Sequence, residues 1–164
     1  KKLAALAEQT GRRVGPDTLE PVTLKLAEYG ATVTPEAFMA TLAFMNEQRR
    51  RIGQYFTRFD IWLSPTCATL PAPHGVLSQS RSDLSVQDWL VTADRAVQFC
   101  FPYNIAGLPA ISLPLALSAG GLPIGVQFGA GAAQEHILLD LAQQLEQALP
   151  WADRLPPHHT SHAT

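Results

Sequence analysis

The chain has 164 residues, of which 46% are apolar and 16% charged, and its formal net charge is −2. That length can bury the core of one ordinary domain, and the balance of charge excludes the clustered basic footprint of a nucleic-acid-binding module. So few charged residues also fit a surface that is partly covered by another body.

Cys67 and Cys100 are the only cysteines. With no Cys-x-x-Cys pair, they point to reduced thiols and a cytoplasmic setting rather than a disulfide framework. The start, Lys1-Lys-Leu-Ala-Ala-Leu-Ala-Glu8, turns polar before a secretory apolar core can form. Residues 105–119 form the longest apolar stretch, too short for a bilayer and broken by Pro109 and Pro114. No membrane association is expected.

In chain order, residues 1–18 show only a helix end before Gly11, as though the chain were entered mid-element. Glu20-Pro21 opens a short helix that Gly30 is expected to stop. Thr34-Pro35 repeats the logic, Thr34 as N-cap and Pro35 at the first helical position. Phe38, Leu42, Met45, Ile52 and Phe56 then form one apolar stripe, which predicts a helix from Pro35 to about Thr57. Arg49, Arg50 and Arg51 near its end read as a solvated helix terminus, where positive charge suits the dipole.

Phe59-Asp-Ile-Trp-Leu63, ending at Ser64-Pro65, predicts a strand buried on both faces. Residues 65–84 are a long loop, which inside a compact domain tends to be functional or mobile. Ser85 and Asp88 predict the capped start of a helix reaching about Phe99. Ala110–Leu117 and Leu122–Phe128 read as an antiparallel hairpin turned on Gly120 and Gly121, with Pro114 at an edge or bulge. The last predicted helix, residues 133–149, presents Ile137, Leu138, Leu141, Leu145 and Leu149 on one face. The segment 151–164, which includes His158, His159 and His162, is expected to be a disordered tail.

The nucleophile candidates lack partners in the sequence. Ser112 has no Gly-x-Ser-x-Gly elbow and reads as a strand serine packed against backbone. Ser64 likewise has no base beside it. Cys67 and Cys100 have no motif joining them to His74 or His136, so inert thiols are expected. The histidines lack carboxylate or thiol partners at metal-ligand spacing. Gly129-Ala-Gly131 lacks the lysine and hydroxyl of a phosphate loop. What remains is a convergence of chain reversals at Ser64–Thr66 and at Pro102–Asn104 with Gly107. There Asn104 could fix an amide, Thr66 could offer a hydroxyl, and Phe101 or Tyr103 could wall a pocket; turn-capping and core packing are the competing roles.

Several of these segments resemble amidase-signature enzymes. Residues 59–66 (Phe-Asp-Ile-Trp-Leu-Ser-Pro-Thr) resemble that family's strand and proline-threonine turn. Residues 103–114 (Tyr-Asn-Ile-Ala-Gly-Leu-Pro-Ala-Ile-Ser-Leu-Pro) resemble its asparagine, glycine and proline block. Residues 121–128 resemble the second hairpin strand, and Glu135 to Glu146 the last helix. In this order the likeness covers most of residues 19–149.

The resemblance implies an α/β fold, a mixed sheet flanked by helices, of which this chain holds the C-terminal part over residues 1–150. It also implies acyl transfer by a Ser–Ser–Lys triad, in which an unprotonated lysine activates a bridging serine held in a cis peptide. That lysine and its glycine- and serine-rich loop belong to the family's earlier portion. Lys1, Lys2 and Lys25 stand in other contexts and no Gly-Ser-Ser run exists, so no catalytic residue is expected in this chain, which alone should be inactive. The family needs no cofactor. Its substrates include aliphatic and aromatic amides, amino-acid amides, aminoacyl-tRNA in a multisubunit setting and cyclic oligoamides related to nylon. Thr66, Asn104, Phe101 and Tyr103 are the expected substrate contacts. A free-standing, non-catalytic binding module of the same ancestry is the alternative. An incomplete sheet would leave an edge or helix face uncovered, which favours self-association.

Overall fold

In the computed structural model, which describes residues 2–156, local signals set most element boundaries. Helix α1 (Lys2–Thr10) stops at Gly11, whose φ of 66° few other residues adopt. Helix α2 (Pro21–Ala31) runs through Gly30, and the amide of Thr32 closes it on the Tyr29 carbonyl. Helix α3 (Pro35–Tyr55) begins as expected, the Thr34 hydroxyl accepting from the Ala37 amide at 3.2 Å. Helix α4 (Val86–Val97) is capped by Ser85, which accepts from the Asp88 amide at 3.0 Å and donates to the Asp88 carboxylate at 2.6 Å.

Three strands, β1 (Ile61–Pro65), β2 (Ala110–Leu117) and β3 (Pro123–Ala130), form one antiparallel sheet in the order β1-β3-β2. The β2–β3 hairpin turns at Gly121, with φ of 78°. The Ser118 amide donates to the Leu122 carbonyl across the turn, and the Leu122 amide donates back to the Ser118 hydroxyl. Register slips between Leu113 and Ala116, the bulge expected around Pro114.

The expectation for β1 is corrected. It lies at an edge, with Leu63 62% exposed, while β3 is the central strand and holds the buried run Gln127–Ala130. An apolar run records that a strand is apolar but not which neighbours cover it. A further element, α5 (Phe101–Ala106), stands where only loop was expected.

The core lies between one sheet face and α6 (Glu135–Ala148). Leu113, Phe128, Ala130 and Leu138 are buried there, with Ile111, Val126, Leu141 and Leu145 packed around them. Leu149, expected on the same face, falls past the helix end and is exposed. Of the segment expected as a tail, residues 157–164 lie outside the described residues, together with all three of its histidines. Trp151 packs on the core, and the Arg154 guanidinium donates to the Pro114 carbonyl at 3.1 Å.

Helix α3 stands where its stripe predicts and packs on α5, but only part of the stripe is covered: Met45 and Ile52 are half-buried, while Phe38, Met39, Leu42 and Phe44 face outward. Arg49 is not merely solvated, since its Nε donates to the Ile105 carbonyl at 2.5 Å and so closes the end of α5. Arg51 pairs with Glu47 one turn away.

Candidate functional site

The sheet face opposite α6 is polar. Ser64, Gln127 and Ser112 stand opposite one another across the three strands. In-register residues share a face, and so do residues two positions along, which adds Gly125 and Gly129. A side chain at Gly129 has no room: a Cβ there would meet the Tyr103 ring at 1.9 Å. Tyr103 therefore lies flat over that glycine, 4% exposed, beside Trp62, and its hydroxyl donates to the Trp62 carbonyl at 3.2 Å. Burial pushes the Tyr103 phenol up, opposed by hydrogen bonding from Ser64 and Gln127.

Gln127 is buried beside it and ties the sheet to the turn between α4 and α5. Its amide nitrogen donates to the Phe99 carbonyl at 3.0 Å and to the Ser64 hydroxyl at 3.4 Å. The Cys100 thiol reaches both the Gln127 side-chain carbonyl and the Thr66 carbonyl at 3.5 Å. A buried polar network of this kind fixes position, because each unpaired group would carry its own desolvation cost.

Beyond this network the polar face opens into a cleft of about 620 Å³. The residue 66–85 loop walls it, tied to α4 by the Ala68 amide on the Ala96 carbonyl at 3.2 Å. Leu70, Leu77, Val97 and Ile124 supply apolar surface, and among the described residues no charged side chain lines the cleft. At its floor the hydroxyls of Thr66 and Ser112 stand 2.5 Å apart. Gly125 makes that approach feasible, since a Cβ there would lie 2.7 Å from both oxygens. At the far end of the loop Arg81 pairs with exposed Asp83, and its hydrogen bond holds that carboxyl below the usual range.

Of the four expected contacts, only Thr66 lines the cleft. Tyr103 is core, while Phe101 and Asn104 are exposed on α5. Ser112 is the strand serine expected from sequence, but its hydroxyl meets Thr66 at the cleft floor rather than packing against backbone. The signal that would have found it is its place opposite Gln127, a register that only the folded sheet reveals. His136 is exposed at the start of α6, and among the described residues no three His, Cys, Asp or Glu side chains converge as a metal site. Among the described residues no helix is long and apolar enough to cross a membrane.

An α/β segment with a neutral, hydroxyl-floored cleft suits an uncharged polar ligand. The chain belongs to the amidase family, whose model, described as Amidase, matches residues 2–139. A Mycobacterium bovis relative, AmiC, whose name gives its amidase assignment as provisional, is 36% identical over 87% of this chain and 29% of its own length. The 6-aminohexanoate-cyclic-dimer hydrolase of Pseudomonas sp. (strain NK87) is 32% identical over 91% of this chain and 31% of its own. A solved structure of 6-aminohexanoate cyclic dimer hydrolase superposes with a TM-score of 0.82 at 30% identity, covering 92% of this chain and 32% of that one. The chain thus spans about a third of the length of the relatives it matches.

Proposed function

We propose that this chain is the C-terminal region of an amidase that cleaves a carboxamide C–N bond by acyl transfer. Its close superposition on one third of a cyclic amide hydrolase carries the reading. In that chemistry a serine oxygen attacks the carbonyl carbon and the nitrogen leaves protonated. Water then cleaves the acyl-serine ester, releasing the acid and restoring the hydroxyl. The Ser–Ser–Lys residues are supplied outside this sequence.

This region contributes one wall of the substrate pocket. Thr66 faces the ligand, Phe101 and Asn104 on α5 are outer contacts, and Tyr103 holds the wall in place. The substrate is a small neutral amide, with no nucleic acid and no membrane involved. The two free cysteines fit a reducing, cytoplasmic setting. The outward side chains of α3 and the open edge of β1 are covered in the intact protein, and drive self-association when the segment stands alone.

The test is ammonia release from hexanamide by the intact polypeptide and by this segment alone. Turnover is expected only from the intact form. Turnover by the purified segment, or none by the intact protein on any amide, overturns the reading and favours a non-catalytic binding module.

A further inference from the structure

We infer that the Thr66–Ser112 hydroxyl pair selects ligands that show a carbonyl and an N–H on the same edge, as primary amides, ureas and small lactams do. The inference deepens the amidase reading and rests on it for the identity of the site. Two hydroxyls bring two protons and four lone pairs. Their mutual bond at 2.5 Å uses one proton and one lone pair, whichever oxygen donates. One proton therefore remains to donate to a carbonyl, and lone pairs remain to accept from an N–H.

A carboxylate is the wrong complement, because it offers two acceptors and no proton. It would also bring a charge into a cleft where, among the described residues, no charged side chain meets it. A trans secondary amide is a half-match, since its carbonyl and N–H lie on opposite edges. Leu70, Leu77, Val97 and Ile124 then take an aliphatic flank. Gly125 completes the device, because any larger residue would push the two oxygens apart.

The probes are pentylurea, whose carbonyl resists acyl transfer, and hexanoate, its anionic counterpart. Dissociation constants are measured by ligand-observed NMR on the intact polypeptide and on its Thr66→Val and Ser112→Ala variants. Pentylurea is expected to bind at least tenfold more tightly than hexanoate to the unsubstituted protein. Each variant should weaken pentylurea about three- to tenfold and narrow its margin over hexanoate. Equal binding of the two probes, no binding of pentylurea, or pentylurea affinity within twofold in both variants overturns the inference. The probe comparison needs no substitution, so a misfolded variant cannot protect it. Ammonia release from hexanamide, followed in parallel, separates the two readings. Turnover with hydroxyl-independent binding sinks only this inference, and hydroxyl-dependent binding without turnover sinks only the amidase assignment.

Discussion

The two faces of the sheet are held by different physics. On one face Leu113, Phe128, Ala130 and Leu138 pack as area against area. That stabilisation scales with the apolar surface removed from water and tolerates changes of shape. On the other face, Tyr103 lies on Gly129 and Gln127 bonds to Phe99 and Ser64, so what counts is the absence of an atom and the direction of a donor. The lesson is that the apolar face supplies stability while the polar face supplies position, and the cleft is built on the second.

The sharpest way to break this comparison is to add one carbon to the polar face. Gly129→Ala is expected to destabilise the protein by about 3 kcal/mol, because the aromatic ring over it cannot yield without moving α5. Urea unfolding would check this, and a cost below that of Leu138→Met would erase the contrast. Leu138→Met, nearly conserving volume in the other face, is expected to cost less than about 1.5 kcal/mol in the same assay.

The smallest effect concerns one hydroxyl. Tyr103→Phe removes the bond to the Trp62 carbonyl and should cost about 1 kcal/mol at neutral pH. Burial raises the folded-state phenol above its ordinary value. Its contribution is therefore complete below about pH 10 and is lost as pH climbs through the folded value. Unfolding midpoints compared at pH 8 and above pH 10 should show the gap between the two proteins closing; a constant gap would remove Tyr103 as the alkaline-sensitive group.

Much of this architecture is written locally. Thr34 with Pro35, Ser85 with Asp88, and the glycine turn before Leu122 each act within a few residues, so their elements stand where the sequence puts them. Helix α5 escaped because its six residues are too few for an apolar period to emerge. Yet Pro102 in its first turn repeats the start of α2 and α3, and Gly107 at its end, with φ of 67°, repeats the glycine stop of α1. The edge position of β1 was not legible either, because burial belongs to the neighbours and not to the run itself. The cleft floor lies furthest from sequence. Thr66 and Ser112 are 46 residues apart and meet only through the register of three strands. The family blocks around them nevertheless led to Thr66 as an expected contact, and the register sets the Ser112 hydroxyl beside it.

Pro114 and Arg154 give the sheet a direction. A strand arriving at the outer side of β2 would find one amide missing, the register slipped and a carbonyl already engaged by a guanidinium. The outer side of β1 carries no such plug among the described residues. Among the described residues the sheet is thus closed like a zip at one end, and β1 is the side left open to a neighbouring strand.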